Sequence, residues 1–278
     1  MNIVNKMKLL KVFLYTLLIL LFVICFIPFF MMLINATRTN SEILRGFSIF
    51  PGSATIENYN ILISYMDVWR GFLNSLIIAV SVTFLNSYFS ALTAFAFVIY
   101  NFKGKNIIFI TFLVMMMVPG QLGLIGLYDL SSALGILDTY LPLIIPAIAA
   151  PFTVFFFRQY MLTTMHVSLL EAARIDGASE LRMFHSIVIP VLMPAIATMG
   201  IFTFIGTWNN YITPLVILKS PNLFTLPVMM GALRGSPVAQ NLGAMYMGIA
   251  ISVVPIMLAF LFFSRYIISS ISAGAVKE

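Results

Sequence analysis

Two groups of side chains in this sequence combine residue types and spacings that suit chemistry. Phe204, Trp208 and Tyr211 stand at i, i+4 and i+7, which lines three aromatic rings along one helix face, with the amides of Asn209 and Asn210 beside them. Flat rings pack against the CH faces of a sugar, and amides pair with its hydroxyls. The same spacing suits helix packing or an aromatic belt at a membrane interface, and packing is the reading we favour. The second group lies between Ser168 and Pro194. There Glu171 and Asp176 offer carboxylates to basic groups of a partner, and Ala172, Ala173 and Ala178 permit close approach. Leu169, Leu170 and Met183 have the shape to fill an apolar groove. Nothing comparable supports catalysis or metal binding. Cys25 is a lone cysteine in an apolar run, and His166 and His185 read as solvated residues of loops.

The elements that must carry the second group are a helix, a turn and a helix, over residues 168–187. Ser168 followed by Glu171 has the pattern of a capping box at a helix start. Leu169, Leu170, Ala172, Ala173 and Ile175 continue a short helix. Gly177 supplies a residue that accepts positive φ, Ser179 can cap a second helix, and Pro190 limits or kinks it.

The rest of the chain is far more apolar than a soluble domain. Of 278 residues 61% are hydrophobic and 9% charged, and mean hydropathy is +1.05; soluble proteins carry about 25% charged residues. The expectation is an all-α integral membrane protein. Its uncharged runs predict six spans, near 12–35, 73–99, 107–127, 139–157, 188–217 and 242–264. Pro119-Gly120 interrupts the third, and Pro142, Pro146 and Pro151 fall in the fourth. Ser87/Ala91 and Ser90/Ala94 give small residues four apart, which lets helices approach closely in lipid. The intervals 38–70, 129–138 and 219–241 read as loops, the first with short structure.

Six spans put both termini on one side. Lys6, Lys8, Lys11, Lys103, Lys105, Arg158, Arg174, Arg182, Arg265 and Lys277 fall on that side, against Arg38, Arg45, Arg70, Lys219 and Arg234 on the other. The positive-inside bias makes the first side, with the 168–187 region, cytoplasmic. The net charge of +6 therefore reflects topology rather than a nucleic-acid partner. No Asp, Glu, Lys or Arg falls within the apolar cores of the spans, so ion coupling at membrane depth lacks its usual groups. Energy supplied by a partner docked on the polar helix pair is the first reading. A self-contained secondary transporter or channel is the alternative.

At the residues just described the chain resembles the permease subunits of bacterial binding-protein-dependent ABC importers. Glu171-Ala172-Ala173, Asp176-Gly177-Ala178, Pro190 and Pro194 resemble their EAA motif. Glu57-Asn58-Tyr59, Asn74-Ser75, Met117-Val118-Pro119, Phe157-Arg158-Gln159-Tyr160, Trp208-Asn209-Asn210-Tyr211 with Pro214-Leu215, and the Gly-Ala-Val-Lys ending resemble the carbohydrate subgroup, and within it the smaller, maltose-type permease. The resemblance implies a type I importer permease fold with a cytoplasmic coupling helix between spans 4 and 5. It implies a second permease subunit, a dimer of cytoplasmic ATPase subunits and an extracellular sugar-binding protein, all set in membrane lipid. ATP and Mg would be bound by the ATPase, since this chain has no Walker A pattern.

Overall fold

The computed structural model describes residues 3–275 apart from 149 and 234, and the side chains of 7–262 apart from 149, 234, 237 and 239. The side chains of the Gly-Ala-Val-Lys ending, and of Lys6, Arg234 and Arg265 from the charge tally, lie outside the described residues. All regular structure among the described residues is helical. The elements are α1 (Ile3–Asn35), α2 (Asn40–Leu44), α3 (Thr55–Tyr65), α4 (Val68–Ile99), α5 (Lys105–Met117), α6 (Gly123–Ala133) and α7 (Leu141–Ile144). There follow α8 (Pro151–Thr164), α9 (Val167–Ile175), α10 (Glu180–Met183), α11 (Ile189–Trp208), α12 (Ile212–Ile217), α13 (Leu226–Leu233) and α14 (Leu242–Ala275). Five stretches are long and apolar enough to cross a membrane, and a sixth arises if the pair bent by 90° around Pro119 counts as one.

Prolines account for most departures from the predicted elements. Val118, before Pro119, is extended, as a residue preceding proline prefers, and α5 stops there. The chain resumes as α6 through Asp129, which is therefore helical rather than part of a loop. The fourth hydrophobic stretch is not one kinked helix. Pro142, Pro146 and Pro151 each stand in the first two positions of a separate segment, α7, a 3₁₀ turn (Ile145–Ala147) and α8, where a missing N–H costs nothing. α8 then runs on to Thr164, which makes Arg158 helical, its guanidinium 4.1 Å from the centre of the Phe109 ring.

Pro190 does not end the helix before it. A π turn (Phe184–Val188) joins α10 to α11, the Ile189 N–H reaching Phe184 O, and the widened turn leaves room for the proline ring. That same turn makes His185 helical instead of a loop residue. Its Nδ1 lies 2.7 Å from Leu181 O and its Nε2 3.2 Å from the Tyr88 hydroxyl. The interval 219–241 also contains a helix, α13.

The helices form two compact units. The first comprises the chain up to Val68 with Met229–Val254. In it α1 is almost wholly exposed, and the polar interval after it is stitched by buried groups. Buried Arg38 donates from one nitrogen to Asn35 Oδ1 (3.2 Å) and Gly46 O (3.0 Å), and from another to Glu42 O. Thr39 and Glu42 form a capping box for α2. Buried Asn58 donates to Ala36 O (2.9 Å) and Arg38 O (3.0 Å). α14 enters so closely here that a Cβ on Gly243 would meet Arg38 O at 2.6 Å.

The second unit comprises Trp69–Val228 with the chain from Pro255. Its core is organised by the small stripe of α4: Ser87, Ser90, Ala91 and Ala94 are all buried, as the spacing predicts. Ala91, Ala94 and Phe95 pack with Phe157 and Met161 of α8, Leu192, Ala195 and Met199 of α11, and side chains of the α9–α10 region.

Candidate functional site

The predicted helix, turn and helix form, but packing rather than capping starts the first of the two helices. α9 begins at Val167, with His166 as its N-cap and no side-chain capping bond, so the Ser168–Glu171 box is not made. The start is set by two anchors in the core, Met165 before the helix and fully buried Leu170 within it. The turn is as expected. Asp176 is the C-cap, Gly177 has φ of 78°, and the N–H groups of Gly177 and Ala178 bond to Arg174 O (3.0 Å) and Ala173 O (2.9 Å). These two bonds make a Schellman motif. Ser179 then caps α10, accepting from the Arg182 amide.

Leu170 and Met183, expected on a partner-facing surface, are buried in the chain's own core. They cannot fill an external groove. The outward face consists of Leu169, Glu171, Ala172, Asp176 and Gly177, to which the structure adds Ile175 (86% exposed) and Leu181 (61%). Ala173 and Ala178 are half-buried and line, with Asp176, Arg182 and Met183, a shallow cavity of about 250 Å³. The outward face thus presents the carboxylates of Glu171 and Asp176 among apolar side chains, on a base buried in the core, with Arg182 at its edge.

A polar latch missed in the sequence reading holds the turn from one side. Arg174 Nε is 2.8 Å from Glu180 Oε1, the Tyr100 hydroxyl donates to Glu180 Oε2, and the Arg174 guanidinium lies 5.9 Å from the centre of the Tyr100 ring. Tyr100 follows the last residue of α4, so the latch joins that span to both sides of the turn. Spacing alone could not reveal it, because Tyr100 is remote in sequence.

The aromatic and amide group divides. α11 ends at Trp208, so Tyr211 does not share its face; it is the N-cap of α12 instead. Trp208 is 1% exposed, packed between Phe204 (ring centres 6.0 Å apart) and Phe72 (5.4 Å). Both α11 rings are therefore core. Asn209, Asn210 and Tyr211 are exposed and line a cavity of about 830 Å³ with Gln121, Thr213 and Pro146. The Asn210 side chain accepts from the Thr213 amide (3.2 Å) and donates to its hydroxyl (3.3 Å), which holds the break between helices open. Gln121 joins this group only because the chain turns at Pro119, and no periodicity could have signalled it.

The loops beyond this break are fixed by one carboxylate. Asp138, with φ of 58°, accepts from the Lys219 and Ser220 amides (2.7 and 2.9 Å) and the Ser220 hydroxyl (2.5 Å). The Ser220 hydroxyl, and then the two amides, hold its carboxyl below the usual carboxylate range. Asn74 similarly clamps Asn222 O and Phe224 O, each at 2.9 Å.

Comparison with known proteins accords with this architecture. Residues 88–272 match the family described as binding-protein-dependent transport system inner membrane component. The chain is 36% identical over 254 residues to the arabinooligosaccharides transport system permease protein AraQ of Bacillus subtilis, covering 90% of each chain. It is 31% identical over 266 residues to the diacetylchitobiose uptake system permease protein NgcG of Streptomyces coelicolor, covering 95% of this chain and 88% of the relative. Its fold matches a chain in the crystal structure of a bacterial ABC transporter involved in the import of the acidic polysaccharide alginate, with a TM-score of 0.80 over 94% of this chain and 97% of that one, at 19% identity. This chain belongs to the family of binding-protein-dependent transport system inner membrane components, the multi-pass permease subunits of ABC importers.

Proposed function

We propose that the chain is one transmembrane subunit of an ATP-driven carbohydrate importer, with the α9–α10 region as its coupling helix. One observation carries this reading: an exposed acidic and apolar face (Leu169, Glu171, Ile175, Asp176, Leu181) stands on a base buried among three spans. Such a surface suits a basic, partly apolar groove on a cytoplasmic ATPase, and the burial of Leu170 and Met183 delivers its displacement to α4, α8 and α11. A site of this kind works by favouring one of two cavity orientations, which requires a nucleotide-driven partner with different affinity for each. The six-span topology takes the bent α5–α6 pair as a single crossing, and both termini are cytoplasmic.

A second permease completes the path, an ATPase dimer holds ATP and Mg, and an extracellular binding protein delivers substrate. The carbohydrate class is supported by the names of the relatives, which describe oligosaccharide and disaccharide uptake. Within this chain Gln121, Asn209, Asn210 and Tyr211 are the groups suited to face sugar hydroxyls, and Phe204 and Trp208 are structural.

The test is sugar-stimulated ATPase activity in the reconstituted four-component transporter. Glu171→Lys should leave insertion and assembly of the two permeases intact while abolishing stimulation. Wild-type stimulation in that variant would overturn the docking assignment.

A further inference from the structure

The stitched interval after α1 carries an apolar surface that the coupling and translocation roles leave unused. Leu44, Phe47, Ile49, Phe50 and Ile56 are all exposed, from 53% to 76%, within thirteen residues whose other members are small, polar or proline. Exposed aromatic and aliphatic groups at this density mark an interaction site rather than ordinary surface.

Their position identifies the occupant. One nitrogen of the Arg38 guanidinium bonds both the side chain of Asn35, the last residue of α1, and the carbonyl of Gly46. The other holds Glu42 O. Residues 42–46 are thereby pinned beside Asn35, which closes the apolar stretch Met7–Asn35. Gly46, with φ of 102°, turns the chain so that Phe47 follows directly. Phenylalanine and aliphatic side chains presented beside the end of a span suit the boundary between headgroups and acyl chains, which the apolar faces of interfacial segments enter. The flank fits as well: Arg45 stands between Leu44 and Gly46, and a cation there can reach the phosphate layer while its neighbours enter the acyl boundary. The preformed network means that no ordering of the backbone is needed on insertion.

We infer that residues 44–56 form a monotopic anchor that dips into the lipid interface at the end of α1, fixing the depth of the first unit in the bilayer. The inference rests on α1 crossing the membrane, as the proposed topology has it. Nitroxide labels at Phe47→Cys and Phe50→Cys, each in a Cys25→Ser background, test it in the assembled transporter. The host is liposomes of phosphatidylethanolamine and phosphatidylglycerol, and relaxation is measured with oxygen and with a water-soluble nickel chelate. The expected result at both sites is mobile spectra with oxygen access exceeding nickel access, unchanged by adding the binding protein. Nickel access exceeding oxygen access would place the loop in water, and an immobilised label shielded from both would place it against protein; either overturns the anchor. A label at Leu20→Cys separates the premise from the inference. If nickel reaches that site, α1 does not cross the bilayer and the topology itself fails. If Leu20 is shielded from nickel while Phe50 is not, only the anchor is lost.

Discussion

The two polar segments, 35–58 and 165–188, carry nearly the same local signal and use it differently. Each contains a hydroxyl residue followed three positions later by glutamate, Thr39 with Glu42 and Ser168 with Glu171. Only the first becomes a capping box. The difference lies in what else holds the chain. Helix α2 has no buried residue, so its start must be fixed by hydrogen bonds, and Thr39, Glu42, Arg38 and Asn58 supply them. Helix α9 has Leu170 in the core, and the requirement to bury that side chain starts the helix at Val167, two residues earlier than a Ser168 cap would. Local capping is worth about 0.5–2 kcal/mol and a buried leucine more. Where both compete, the core wins.

That contrast can be broken most forcefully at Leu170. Leu170→Ala should destabilise the second unit by about 2–5 kcal/mol through the lost contacts and the cavity left behind. A fall in the melting temperature of the purified transporter, larger than for Leu169→Ala, checks it. In the other segment Arg38→Ala should cost about 1.5–3 kcal/mol, since it removes charge-assisted bonds from three carbonyl or amide oxygens. Hydrogen exchange at residues 39–46 should rise while exchange in α9 stays unchanged.

Acid gives a finer comparison. Glu42 is held below its ordinary pKa, first by the Thr39 amide and then by the Thr39 hydroxyl. A depressed carboxyl contributes stability above its unfolded pKa and loses it as pH falls through the folded one. Protection factors at residues 39–46 should therefore decline below the ordinary carboxylate range, with no matching decline at the start of α9. Thr39→Ala should cost about 1 kcal/mol by the same assay, within the range for lost caps. Smallest of all, Ser168→Ala should change stability by less than about 0.5 kcal/mol, because its side chain makes no cap. A loss near 1 kcal/mol there would mean that the box forms after all.

The same distinction explains how much was legible in sequence. Uncharged runs and small-residue spacing gave the helical membrane class and the close-packed stripe of α4, because both follow from one-dimensional pattern. Gly177 and Ser179 were readable because a left-handed turn and a cap are local. The helix breaks at Trp208 and Pro119 were only partly so. Proline announces where a helix is vulnerable, but whether it bends by 90°, starts a new segment, or is absorbed by a π turn depends on neighbours. Exposed and core-facing leucines one position apart, Leu169 and Leu170, cannot be told apart without knowing the face. The Tyr100–Glu180–Arg174 latch and the Asp138 clamp join residues remote in the chain, and no spacing rule reaches them.

The burial of Leu170 has a mechanical consequence. Protein interiors are packed like organic crystals and have little compressibility. A lever rooted in such a core by side chains on both sides of its elbow, Leu170 before Gly177 and Met183 after it, has almost no backlash. If the elbow serves as the proposed coupling helix, a displacement of about an ångström delivered there would carry the side chains packed against it in α4, α8 and α11 along instead of being absorbed as slack.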